Sequence, residues 1–258
     1  MSSEISLALE AVTMRFGGVV AVSGLDLRVP RGRISALIGP NGAGKSTVFN
    51  CINGIYKPTR GRVVFDGQDV TALKPHKVAH RGIARTFQNL ALFKNMTVLE
   101  NLLLGRNQFL GAGVVRGGFF LGKAKGEEVE NRLAVEKIID FLEIEAVRKS
   151  IVGSLPFGVQ RRVELGRALA AEPKLLLLDE PVSGMNSEET EDMVRFILDI
   201  NEDLGVTVLM VEHDMGVVMD ISDEVAVMNF GEKIAQGPPD KIAADPEVIK
   251  AYLGEAGT

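Results

Sequence analysis

Gly39-Pro-Asn-Gly-Ala-Gly-Lys-Ser-Thr47 matches the pattern G-x-x-x-x-G-K-[ST] at every fixed position. Ahead of it, Arg33-Ile-Ser-Ala-Leu-Ile38 reads as a buried strand, and behind it Lys45 to Asn53 reads as a helix. A bare glycine turn between strand and helix would not need the Lys-Ser pair. Glycines at 39, 42 and 44 let the backbone approach a polyphosphate and turn its N–H groups inward, at a helix N-terminus that favours negative charge. In such a cradle, formed by Gly39, Pro40, Asn41, Gly42, Ala43 and Gly44, Lys45 reaches the β- and γ-phosphates, Ser46 holds Mg²⁺ and Thr47 adds a donor.

The chain has 258 residues, enough to bury a sizeable core in one large domain or two unequal lobes at about 150 residues per domain. A net charge of -5, no basic stripe and an aromatic content of 5% argue against a nucleic-acid partner. The single cysteine, Cys51, falls in the apolar first helix and reads as a small core residue of a reducing compartment. The N-terminus carries no basic segment followed by an apolar core, and no apolar stretch approaches the roughly 20 residues needed to span a bilayer. A cytoplasmic protein that meets membranes only through a partner is the expectation.

Leu7 to Phe16 and Val19 to Val29, separated by Gly17-Gly18, read as a hairpin ahead of the phosphate loop. Phe16, at a strand end, suits either a stack on an adenine or the core. Beyond the first helix, Arg60 to Asp66 and Ile83 to Phe87 read as strands. The short helix between them carries His76 and His80, both expected in solvent without metal-ligand spacing. Gln88, in Arg85-Thr86-Phe87-Gln88-Asn89, comes where strand gives way to loop, the place for ligand contacts in an open α/β sheet.

Residues 97 to 171 turn helical. Thr97 to Gly105 and Gly126 to Ile144 show helical periodicity, the second with Val129, Leu133, Val135, Ile138, Ile139 and Leu142 on one face. The glycine-rich stretch between them carries Phe109, Leu110, Val114, Val115, Phe119, Phe120 and Leu121, which suits packing on the lobe or meeting a partner. Leu155-Pro-Phe-Gly-Val-Gln160 leads into a helix over Arg161 to Ala171, with Pro156 suited to its first turn.

Leu175-Leu-Leu-Leu178 then describes a strand buried on both faces, ending in Asp179-Glu180. Two carboxylates there, in a chain with a phosphate loop, suit a metal-linked Asp179 beside a water-activating Glu180. Asn186, with Glu189 three residues on, caps a helix running to about Leu204 with Met193, Phe196, Ile197, Ile200 and Leu204 inward. Val206 to Val211 is another apolar strand, delivering Glu212-His213-Asp214, and His213 there reads as functional. Glu224 to Asn229 and Glu232 to Gln236 form a closing hairpin, followed by two short helices.

Taken together the motifs resemble the ATP-binding subunit of an ABC transporter over essentially the whole length, most closely that of the branched-chain (hydrophobic) amino-acid importers. The narrower resemblance is carried by Arg85 to Asn89, Asn95-Met-Thr-Val-Leu-Glu-Asn101, Glu212-His-Asp-Met215 and the ending Pro246 to Gly254. It implies an α/β P-loop NTPase of ABC type: a RecA-like core with an antiparallel β subdomain over 1–90 and 172–258, and a helical subdomain over 91–171. It implies Phe16 as the adenine-stacking aromatic, Gly39 to Thr47 as Walker A, Gln88 as the Q-loop residue and Leu155 to Gln160 as the signature. Asp179 and Glu180 end Walker B, Ser183 to Asn186 form the D-loop and His213 is the switch histidine. Cofactors are then ATP and Mg²⁺, the metal on Ser46, Gln88 and Asp179, with Glu180, His213, Gln88 and Lys45 catalytic and Gly158 serving the opposite subunit's nucleotide.

The implied partners are a second, identical or different ATP-binding subunit, membrane permeases and, indirectly, a solute-binding protein, at the cytoplasmic face of the plasma membrane. Alternatives of the same pattern are the ATPase of a lipopolysaccharide exporter and an amide or urea importer. A soluble ABC protein of translation or DNA maintenance generally has two cassettes or a coiled-coil insertion, and this chain has neither. Two departures stand out: Pro156 and Phe157 replace the Ser and first Gly of Leu-Ser-Gly-Gly-Gln, and Asn186 replaces the D-loop Asp.

Overall fold

The computed structural model describes residues 4–88, 90–109 and 121–253. Along the chain, β1 (Ile5–Phe16), β2 (Val19–Pro30) and β3 (Ile34–Ile38) lead to α1 (Lys45–Ile52), followed by β4 (Arg60–Phe65), β5 (Gln68–Asp69), α2 (Pro75–His80) and β6 (Ile83–Arg85). Helices α3 (Val98–Gly105), α4 (Leu121–Phe141) and α5 (Phe157–Leu169) come next. The chain then alternates β7 (Leu175–Asp179), α6 (Ser187–Glu202), β8 (Thr207–Val211) and α7 (Met215–Ile221). It closes with β9 (Glu224–Asn229), β10 (Glu232–Gly237), α8 (Pro239–Ala243) and α9 (Pro246–Leu253). Two compact units result: one takes in the chain up to Gln88 and again from Lys174, and the other spans residues 89–173.

In the first unit the order β10-β9-β3-β8-β7-β6 makes a six-stranded sheet, parallel except for the edge strand β10. β3, β7 and β8 are buried at every residue. That is why their sequences are continuous apolar runs: a parallel strand covered on both faces has no solvent side for polar residues. Each fully buried leucine of β7 contributes roughly 1.5–3 kcal/mol by leaving water. A second sheet, β2-β1-β4-β5, is antiparallel throughout, and the hairpin turn at Gly17-Gly18 is where the sequence puts it. Leu7, Leu9, Val22, Leu27, Val63 and Phe65 from this sheet share one core with Phe49 and Ile52 of α1 and Leu175 and Leu177 of β7.

Several boundaries differ from expectation. β6 ends at Arg85; Thr86 N still donates to Leu177 O at 2.9 Å, but Phe87 and Gln88 have left the sheet. α6 ends at Glu202, and Leu204 is exposed because Asn201 Nδ2 donates to Val206 O at 2.7 Å and draws the chain into β8. β5 and α7 are elements that the sequence reading leaves out. His76 and His80 are exposed, as expected.

In the second unit, Thr97 and Glu100 cap α3 reciprocally, and buried Asn101 ties the preceding loop by accepting from Phe93 N at 2.9 Å and donating to Phe93 O at 3.1 Å. α5 buries Val163, Leu165 and Leu169, and Gly166 admits the end of α4 closely enough that a Cβ would lie 3.3 Å from Ile138 Cγ2 and 2.9 Å from Cδ1 of Leu142 just beyond it. The expected face of α4 holds in its second half, where Val135 and Ile139 are buried together with Leu142 just beyond, but not in its first half. Val129 and Leu133 are exposed, while Asn131, Val135 and Ile139 are buried. The reason is polar: Asn131 Oδ1 accepts from buried Arg106 Nε at 2.9 Å, and that bond places Asn131 inward. Of the glycine-rich stretch, Leu110, Val114, Val115, Phe119 and Phe120 lie outside the described residues.

Cys51 lies in α1, within the core of the first unit, and burial pushes its thiol up to about 11. Because the raised value leaves little thiolate at pH 8, iodoacetamide should label native Cys51 at least about tenfold more slowly than the urea-unfolded chain, as followed by mass spectrometry. Equal rates in the two states would mean that α1 opens readily.

Candidate functional site

Parallel strands deliver their C-terminal ends to one edge, and four of them deliver polar groups there: the loop after β3, Gln88 after β6, Asp179 and Glu180 at β7, and Glu212-His213 after β8. Since β3, β8, β7 and β6 are consecutive neighbours, groups far apart in sequence become adjacent. A cavity of about 290 Å³ results, lined by Ala21, Asn41, Gly42, Ala43, Gly44, Lys45, Ser46, Thr47, Gln88, Glu180 and His213. A larger space of about 830 Å³ lies against Pro40 to Ala43, Phe230 and Lys250, but it is lined by none of Lys45, Glu180 or His213. The smaller one is where Lys45, Gln88, Glu180 and His213 come together.

The loop is shaped by close backbone approach. Gly39 has φ 146°, and a Cβ on it would lie 2.1 Å from Met228 O of β9; Gly44 has φ 103°, and a Cβ there would lie 2.5 Å from Ala21 O of β2. Gly231, in the β9–β10 turn, locks the same loop by donating from its N to Ala43 O at 3.0 Å and accepting from Ser23 N at 2.8 Å. Lys45 is buried at the start of α1, and its Nζ donates to Gly39 O at 2.5 Å and Pro40 O at 2.9 Å, which folds the ammonium over the loop.

Facing it, Glu180 stands in the left-handed region at φ 52°, a strained conformation that brings its carboxylate out of the strand line. Gln88 Nε2 donates to Glu180 Oε2 at 2.8 Å, and His213 Nε2 lies 2.9 Å from Glu180 Oε1. Both carboxylate oxygens are engaged.

Other expected residues stand apart. Asp179 is buried and does not line the cavity; its Oδ2 accepts from Arg85 Nη2 at 2.6 Å. Phe16 is half-exposed in the same unit, edge-on to Tyr56 with ring centroids 5.1 Å apart. Gly158 is buried in the first turn of α5, in the other unit, where Pro156 is the N-cap without a side-chain capping bond.

Two positions that tie the site together receive no role in the sequence reading. Glu212, 3% exposed, accepts from His213 N at 2.7 Å, Asp214 N at 3.3 Å and Val182 N at 3.3 Å, so one carboxylate ties the segment after β7 to the segment after β8. Arg85 joins Asp179 to Asn50 of α1. Each had a signal: an acid directly after a wholly apolar strand, and an arginine in a strand that must be buried.

The sequence profile of ABC transporters matches residues 22–183, and that of the branched-chain amino acid ATP-binding cassette transporter matches residues 232–258. The high-affinity branched-chain amino acid transport ATP-binding protein BraF of Pseudomonas aeruginosa is 44% identical over 254 residues, 97% of this chain and 98% of that protein. Among solved structures, the ADP conformation of an ATP-binding cassette of an ABC transporter superposes with a TM-score of 0.85 at 35% identity, covering 97% of this chain and 99% of that one. A dimeric post-hydrolysis cassette bound to ADP and Pi gives 0.75 at 27% identity, covering 90% and 98%.

The backbone approach at Gly39 predicts a contrast. Gly39→Ala should destabilise by about 2 kcal/mol or more, since strain and a clash with a backbone oxygen combine, whereas Gly42→Ala, whose Cβ meets nothing, should cost only the roughly 1–2 kcal/mol of a left-handed residue. Urea unfolding of the two variants checks the order; a Gly42→Ala cost equal to or above that of Gly39→Ala would remove the contact from the explanation.

Proposed function

We propose that this chain, which belongs to the ABC transporter ATP-binding family, is the ATP-hydrolysing subunit that energises import of branched-chain or other hydrophobic amino acids. The observation that carries the chemical part is the Glu180 carboxylate held between Gln88 and His213 at the mouth of the phosphate-loop cavity. The cargo part rests on the relatives and on the C-terminal match over residues 232–258.

Phosphoryl transfer to water needs charge neutralisation, an aligned nucleophile and exclusion of bulk water. The loop N–H groups and the N-terminus of α1 receive the phosphates, and Lys45 Nζ exchanges the carbonyls of Gly39 and Pro40 for phosphate oxygens. Mg²⁺, when bound, spreads the phosphate charge. The donors here fit it, since the Ser46 hydroxyl, the Gln88 amide oxygen and the Asp179 carboxylate are hard oxygens. Among the described residues no group of three or more His, Cys, Asp or Glu could hold a metal alone; Ser46, Gln88 and Asp179 would hold the ion where it could draw charge from the phosphates.

Glu180 is the general base. Each of its oxygens takes one bond, from Gln88 or from His213, and keeps a further lone pair for a water proton; with nucleotide bound, the Gln88 amide would serve the metal side and His213 the γ-phosphate, which would free the carboxylate further. The charged oxygen left behind then faces the attacking water.

A second ATP-binding subunit completes the site from outside, and permeases read its opening and closing at the cytoplasmic face of the membrane. Among the described residues no helix is long and apolar enough to cross a membrane. Pro156 offers neither hydroxyl nor N–H where the partner's γ-phosphate would approach, and Phe157 is a half-exposed ring over Arg161. The second subunit is therefore a different chain with a better signature.

Glu180→Gln should leave ATP binding intact and slow turnover by about a hundredfold or more, as measured by phosphate release and nucleotide titration. Normal turnover would remove Glu180 as base. In the mixed pair that variant should abolish most transport-coupled turnover, while the matching change in the partner costs less. An isolated chain that forms a tight ATP-dependent homodimer with the turnover of the whole transporter would refute the pairing.

A further inference from the structure

We propose that Arg85 is a positioning residue that serves as the resident counter-ion of Asp179, so that the metal carboxylate accepts a divalent cation together with nucleotide and poorly without it. The inference rests on the reading of Asp179 as a metal-side group. Arg85 and Asp179 side chains are 6% and 7% exposed, and their 2.6 Å contact is made through Nη2 and Oδ2. Arg85 Nη1 donates to Asn50 Oδ1 of α1, also at 2.6 Å. The guanidinium carbon stands 5.4 Å from the centre of the Phe49 ring and 5.1 Å from that of Phe87. Two aromatic faces and two oxygen acceptors fix it in place.

A buried ion pair is seldom retained for stability, because desolvating both charges offsets their attraction and an apolar pair packs as well. Among the described residues, buried Arg85 Nε has no hydrogen-bond partner, a further cost. What the pair does supply is charge balance. Without Arg85, Asp179 would be an uncompensated buried carboxylate whenever the metal is away, and it would draw any divalent cation from solution. With Arg85 in place, an arriving cation must share the carboxylate with a fixed positive charge. The phosphates of the nucleotide outweigh that repulsion, so the metal is retained as a metal–nucleotide complex. The tether also spans three parts of the site: Arg85 lies three residues before Gln88, Asp179 one before Glu180, and Asn50 in the helix that starts with Lys45.

The test is Mn²⁺ binding, followed by the electron paramagnetic resonance signal of the free ion, with and without ADP. Arg85→Gln should tighten nucleotide-free Mn²⁺ binding by at least about threefold, the direction expected when a positive charge near a cation site is removed. Arg85→Lys, which keeps the charge, should stay within about twofold of wild type on the same electrostatic ground. A purely structural role would lower the melting temperature of Arg85→Gln and leave Mn²⁺ affinity where it was, which overturns the proposal. Should Arg85→Gln not fold, Arg85→Met removes the same charge while keeping an apolar stem near Phe49 and Phe87; the same tightening of at least about threefold is expected, and no change overturns the proposal. Asp179→Asn tests the premise separately. Wild-type Mn²⁺·ADP affinity in that variant would remove Asp179 from the metal site and this proposal with it, whereas a loss there alongside an unchanged Arg85→Gln would overturn the role of Arg85 alone.

Discussion

The close passage of the phosphate loop beneath β9 and β2 is the constraint on which the rest of the site depends. Only a residue without Cβ can stand 2.1 Å, measured from a would-be Cβ, from Met228 O, and the Gly231 bond to Ala43 O keeps the loop at that distance. The loop is thereby held from the sheet side and from the hairpin side. A rigid loop presents its N–H groups without reorganisation when the phosphates arrive, which is where preorganised electrostatics gains over water. The parallel sheet contributes the rest by bringing three more strand ends to the same edge.

How much of this is legible in the sequence depends on whether the deciding physics is local. Leu175 to Leu178 and Val206 to Val211 announce buried parallel strands because burial on both faces imposes apolar runs. Asn186 with Glu189 announces a helix start because the capping box is closed within four residues, and both reciprocal bonds are present. The strand ends, and with them Lys45, Gln88, Glu180 and His213, follow from the same local signs, and the fold brings these four to one cavity.

What escapes is set by partners distant in sequence. Val129 and Leu133 lose the inward face of α4 to Asn131 because Arg106, 25 residues earlier, needs an acceptor. Arg85 pairs with Asp179 across a separation of 94 residues, and no periodicity carries that information. Glu212 is likewise defined by Val182, 30 residues away, as much as by its own neighbours. Buried polar groups are the common theme: apolar residues advertise which face is inside, whereas a polar residue goes inside only where a partner meets it.

The same theme separates the three carboxylates at the strand ends by task. Glu212 is satisfied by three backbone N–H groups, fixed donors that hold it as a structural tie. Asp179 is paired with the Arg85 guanidinium, itself clamped by Asn50, Phe49 and Phe87, so its charge is balanced and its position is fixed. Glu180 is held instead by side chains that can leave: an exposed amide and a half-exposed imidazole. Its left-handed backbone aims it at the cavity, and its two bonds satisfy it at rest without the electrostatic grip that Arg85 exerts on Asp179. Of these three acids, Glu180 is the one that lines the cavity and whose side-chain partners, Gln88 and His213, have somewhere else to go. Those are the requirements of a base that must be idle until its substrate is in place.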